Sequence, residues 1–68
     1  MHWQKFIQIV PGVHGAKPTL AGTRIRPTDV LEYLAGGMSA DEILNDFPGL
    51  AREHIRAVLA YAAERERR

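Results

Sequence analysis

Apolar and polar positions change rhythm twice along this chain. The run Phe6-Ile7-Gln8-Ile9-Val10 is β-branched and aromatic and stops at Pro11-Gly12, which predicts a strand. Residues 11–16 read as a glycine-rich loop. Two short extended runs, Lys17 to Leu20 and Arg24 to Arg26, flank Ala21-Gly22-Thr23 and predict a hairpin with glycine at a position of positive φ. Neither run is long enough to stand alone, so both must pack on helices. From Pro27 the period becomes helical. Proline suits a first helical turn, where its missing N–H has no partner to lose. Val30, Leu31 and Leu34 then share one face, and Gly36-Gly37 ends the helix because glycine takes the left-handed C′ conformation. Ser39-Ala40-Asp41-Glu42 is a capping box, with Ile43, Leu44 and Phe47 as the apolar face of helix two and Pro48-Gly49 as its stop. Helix three begins near Ala51 and runs into the 60s, with Ala51, Ile55, Val58, Leu59 and Ala62 as its apolar face. Glu64 to Arg68 read as a solvated end.

The predicted fold is mainly α with a short N-terminal β element. It forms a single domain over 1–68, with strand and hairpin over 5–26 and a three-helix region over 27–65. Helix two, a short turn and helix three make a helix-turn-helix candidate. A chain of 68 residues buries a modest core, and oligomerisation or a partner is a common source of added stability at this size. Together with the apolar N-terminal strand, this predicts a homodimer. The absence of cysteine excludes disulfides and thiolate zinc sites and fits a reducing cytoplasm. No apolar run approaches the roughly 18 residues of a membrane span, and Met1-His2-Trp3-Gln4-Lys5 lacks the apolar core of a signal peptide. A cytoplasmic protein without membrane association is expected.

The net charge of +1 hides a partition. Residues 1–26 carry Lys5, Lys17, Arg24 and Arg26 and no acid, whereas residues 27–51 carry Asp29, Glu32, Asp41, Glu42 and Asp46 and no base. Residues 52–68 turn basic again through five arginines. Only the two ends suit a phosphate backbone. Acids near two helix starts and arginines at the end of the third also complement the helix dipoles. At about 100° per residue, Arg52, Arg56 and Arg67 fall on one flank of the predicted apolar face of helix three, with Ala63 between them. His54, Tyr61 and Arg65 fall on the other flank. Glu53 and Glu64 are predicted opposite the core, which places an acid on a surface that should present donors to bases and phosphates.

Gly15-x-Lys17-Pro18-x-x-x-Gly22-Thr23-Arg24-Ile25-x-Pro27, followed by Gly37-Met38-Ser39-x-x-Glu42-Ile43 and Phe47-Pro48-x-Leu50, resembles the small bacterial family catalogued as domain of unknown function 433. The resemblance implies a homeodomain-like, helix-turn-helix-type fold with an N-terminal β element. It also implies an antitoxin-like role in a type II toxin–antitoxin pair, with a PIN-like ribonuclease toxin as partner. No long toxin-wrapping tail follows helix three. The folded domain or its N-terminal strand would therefore do the neutralising, which makes Trp3, Phe6, Ile7 and Ile9 the candidate toxin or dimer contacts.

Chemical motifs point away from catalysis. Thr23 has no base near it in sequence and reads as a turn former. His2, His14 and His54 have neither i+4 partners nor thiolates, so no metal site is expected. Asp41, Glu42 and Asp46 are better read as cap and dipole complements than as a nuclease cluster. Gly12, Gly15 and Gly22 lack the order of a phosphate loop. No cofactor is expected. The candidate DNA-binding residues are Arg52, His54 and Arg56 for groove or backbone, and Arg24 and Arg26 for phosphate. For Arg24 the competing reading is an internal anchor to Asp41, Glu42 or Asp46. The function expected is a non-enzymatic antitoxin-like protein that binds a toxin by steric occlusion and binds operator DNA. The alternatives are a protein-interaction module without DNA affinity and a stand-alone DNA-binding regulator.

Overall fold

The computed structural model describes residues 1–9 and 17–67. The loop predicted over 11–16, together with Val10, His14 and the terminal Arg68, lies outside the described residues. The remainder contains a two-stranded antiparallel sheet and three helices, and is mainly helical with its strands at the N-terminal side.

A 3-10 turn at Trp3–Lys5 leads into β1 (Ile7–Ile9), which pairs antiparallel with β2 (Pro18–Leu20). Ile7 faces Leu20, Gln8 faces Thr19 and Ile9 faces Pro18. Ile7 and Leu20 meet in the core, whereas Ile9, at the end of the strand, is exposed. Thr19 is buried, and its hydroxyl donates to the Gln8 carbonyl at 3.3 Å, so the hydroxyl is not stranded.

The predicted hairpin is corrected here. The strand partner of β2 is β1, and residues 24–26 form no strand. The segment 20–25 is instead a tight turn closed by Leu20 N–H donating to the Ile25 carbonyl at 2.8 Å. Thr23 locks it: its hydroxyl donates to the Leu20 carbonyl at 2.9 Å and accepts from Ile25 N–H at 3.0 Å. Gly22, at φ +77°, supplies the left-handed residue this geometry requires. So tight a closure leaves no length for a second ladder.

The helices follow their local signals. α1 (Pro27–Ala35) has Pro27 in its first turn, and Asp29 Oδ2 accepts Arg26 N–H at 3.0 Å. At its end Gly37 N–H donates to the Leu34 carbonyl and Met38 N–H to the Tyr33 carbonyl, with Gly37 at φ +103°. That is a Schellman closure, which needs a left-handed residue at C′. In α2 (Ala40–Asp46), Ser39 Oγ accepts Glu42 N–H at 3.1 Å while Glu42 accepts Ser39 N–H at 3.0 Å. α3 (Arg52–Glu66) starts from Ala51, whose side chain has no oxygen to cap with. His54 compensates, since its Nδ1 accepts Ala51 N–H at 3.0 Å.

The core joins β1, β2 and all three helices through Ile7, Leu20, Val30, Ile43, Leu50, Ile55 and Val58. One predicted face is corrected. In α3 the buried residues are Ile55, Ala57 and Val58, whereas Leu59 is 50% exposed and Ala51 is exposed. The helix is rotated toward the Trp3–Phe6 segment, which packs on its inner side. There Trp3 meets Tyr61 edge-on at 5.0 Å and Phe6 meets His54 edge-on at 5.6 Å.

Candidate nucleic-acid interface

The rotation of α3 rewrites its outer surface. Arg52, Arg56, Leu59 and Ala63 are all exposed and fall within about 60° of one another around the helix. Glu64, predicted opposite the core, is half-buried, and its Oε2 accepts the Trp3 indole N–H at 2.6 Å. The acid that would have sat on the outer face is thus turned inward. An indole N–H close to an apolar surface demands an acceptor, and a carboxylate at this register supplies it. Glu53 remains exposed beside Arg52.

Arg52 donates through Nη2 to Asp41 Oδ1 in the first turn of α2. Both side chains are largely exposed, at 58% and 81%. Such a pair is worth about 0–1 kcal/mol, so Asp41 holds Arg52 only weakly. Arg56 is exposed one turn further along. Leu59, half-exposed, adds an apolar patch to the same face.

The other predicted site residues fall elsewhere. His54 is half-buried, with Nδ1 on Ala51 N–H and Nε2 3.3 Å from the Ala21 carbonyl. An acceptor role at Nδ1 leaves Nε2 as the N–H that donates to that carbonyl, which sets the neutral tautomer. His54 therefore pins the 20–25 turn to the start of α3. Arg24 stands exposed on that turn. At such exposure a pairing contributes about 0–1 kcal/mol, not the larger value of a buried anchor. Arg26 is half-buried at the start of α1 and shares a cleft with Arg65 of α3. Arg65 lies nine residues beyond Arg56, about 180° round the helix. The five basic candidates are thus not one surface: Arg52 and Arg56 share a face, and Arg26 lies on another.

Of the apolar candidates, Ile7 is buried in the core, Trp3 and Phe6 are half-buried against α3, and Ile9 is 63% exposed. The sequence reading missed Glu64 as the partner of Trp3 and Tyr61 as its ring partner. The only signal for either was a lone tryptophan whose N–H had to go somewhere.

No group of three or more His, Cys, Asp or Glu residues is placed to hold a metal ion among the described residues. No helix among them is long and apolar enough to cross a membrane.

Comparison with known proteins bears on the family. No curated protein matches the chain. A crystal structure of a DUF433 member protein from Anabaena variabilis ATCC 29413 is similar, at 34% identity with a TM-score of 0.82. The match covers 90% of this chain and 60% of that one, so this chain spans less than two thirds of its relative. The family model for proteins of unknown function DUF433 matches residues 7–62, which include the Gly22-to-Pro27 turn, the capping box and the buried positions of all three helices. The chain belongs to the DUF433 family.

Proposed function

We infer that this is a non-enzymatic, antitoxin-like binding protein that docks on duplex DNA through the outer face of α3 and occludes a PIN-like ribonuclease partner by contact. One observation carries the DNA half: Arg52 and Arg56 share an exposed face with Leu59, while Glu64 is drawn inward by Trp3. Guanidinium groups about a turn apart match successive backbone phosphates, and Leu59 on the same exposed face supplies an apolar base contact. In this reading α2, the 47–51 turn and α3 act as a helix-turn-helix of homeodomain-like kind, with Arg24, on the turn that His54 ties to the start of α3, as a further phosphate contact. The toxin half is supported by the resemblance of the Gly22-Thr23-Arg24-Ile25 signature to antitoxin-like members of the family.

Fluorescence anisotropy with a duplex taken from upstream of the protein's own gene tests this. The slope of log affinity against log salt falls by about 0.9 for each phosphate that is no longer neutralised. Arg52→Ala with Arg56→Ala therefore lowers the slope by about 1.8, whereas Lys5→Ala leaves it unchanged. Equal slopes for both variants would refute docking through α3. The exposed Leu59 also suits a protein partner, which favours a plain interaction module as the second reading. That reading holds if no duplex binds at low salt.

A further inference from the structure

A cleft of about 450 Å³ opens between the first turn of α1 and the last two turns of α3. Its volume lies within the roughly 300–1,000 Å³ of small-molecule sites. Pro27, Leu31 and Tyr61 give it apolar walls, and Arg26 and Arg65 bring two guanidinium groups from different elements to the same hollow. Glu66 also lines it, so two positive charges stand against one negative.

Neither arginine is consumed by an ion pair that defines the fold among the described residues. Arg26 Nε is buried and has no hydrogen-bond partner among them. Buried donors are rarely left so, and a guanidinium with one buried, unpaired N–H favours a negatively charged partner at its remaining donors. Arg65 is oriented in advance: Nη1 donates to the Tyr61 hydroxyl at 3.0 Å, and its guanidinium carbon lies 5.4 Å from the centre of that ring. A guanidinium has five N–H donors in a planar fork, so one bond to tyrosine leaves others for an oxyanion.

We propose that this cleft binds a small organic anion, a carboxylate or phosphate group carried on an apolar body. Arg26 and Arg65 take the oxyanion, and Pro27, Leu31 and Tyr61 cover the body. The site lies on the side of α3 away from Arg52 and Arg56, so it stands independently of the DNA-docking reading and both can be occupied together.

Nitrogen-15 NMR of the full chain, titrated with phenyl phosphate, benzoate and inorganic phosphate near physiological ionic strength, tests it. The expected result is saturable shifts at the Thr28, Leu31 and Ala62 amides with phenyl phosphate or benzoate, and weaker ones with inorganic phosphate. The tighter of the two organic anions identifies the headgroup. Arg26→Met and Arg65→Gln each weaken binding about tenfold or more, and Glu66→Gln tightens it about twofold. Arg26→Met keeps the backbone N–H that Asp29 accepts. Should that variant fail to fold, Arg65→Gln, at an exposed position in the last turn, still decides. Absence of saturable shifts at those amides would overturn the proposal. So would shifts that survive both arginine substitutions and track those at Arg52 and Arg56, the mark of general attraction for anions.

Discussion

Removing the His54 ring distinguishes a residue that holds α3 in place from one that touches DNA. The ring makes three contacts: Ala51 N–H at 3.0 Å, the Ala21 carbonyl at 3.3 Å, and the Phe6 ring at 5.6 Å between centroids. The first is exposed, so water replaces part of it, and about 0.5 kcal/mol is a fair value. The second is partly buried and long, worth about 1 kcal/mol. The edge-on ring pair adds about 1 kcal/mol. Alanine is the better helix former by about 0.5 kcal/mol, which offsets some of the loss. His54→Ala should therefore destabilise by about 2 kcal/mol, out of a total of about 3–5 kcal/mol for a domain of this size. In urea, with a slope near 1 kcal/mol/M, the midpoint falls by about 2 M. Arg56→Ala, exposed on the outer face, stays within about 0.5 kcal/mol of the wild type. DNA affinity of His54→Ala, measured where the variant is folded, should match that of the parent. A midpoint that holds while affinity collapses would refute this account and make His54 a contact residue.

Two further outcomes follow from the caps and the sheet edge. Ser39→Ala should cost about 1 kcal/mol, a drop of about 4–8 °C in Tm. The Ser39 backbone N–H, and then its hydroxyl, hold the Glu42 carboxyl below its usual 4.5. A lowered folded value means stability that is present above 4.5 and lost as pH falls through the folded value. The Tm gap between wild type and Glu42→Gln should therefore narrow in acid, and a gap constant with pH would contradict the assignment. Among the described residues β1 pairs within its sheet only with β2, and it carries Ile9 at 63% exposure, so light scattering should give a dimer mass and Ile9→Lys a monomer. A wild-type monomer with a stable fold would end that expectation.

What could be read from the sequence was what depends on near neighbours. Ser39 with Glu42, Pro27 at a first turn and Gly37 at C′ are decided within a few residues by backbone groups that need partners, and all three sit as their local chemistry requires. The orientation of α3 depends on a partner about sixty positions away. Leu59 looks like core on a helical wheel, yet it is half-exposed and Ala57 is buried, because the side of α3 that carries His54 and Tyr61 packs against the Trp3–Phe6 segment. Glu64 faces inward for the same reason, so the candidate interface was readable in its residues but not in its composition as a face. The strand pairing failed similarly. The Thr23 hydroxyl closes the 20–25 turn within six residues, and β2 is left to pair with β1.

The bond between Trp3 and Glu64 spans 61 positions of sequence. Because a ribosome adds roughly 5–20 residues per second, the indole waits about 3–12 s for its carboxylate to be made. Until then the Trp3 indole N–H lacks its carboxylate, and a chaperone or a nascent partner has first access to it. The last two turns of α3 act as the latch of the molecule, and the latch closes only after synthesis has passed it.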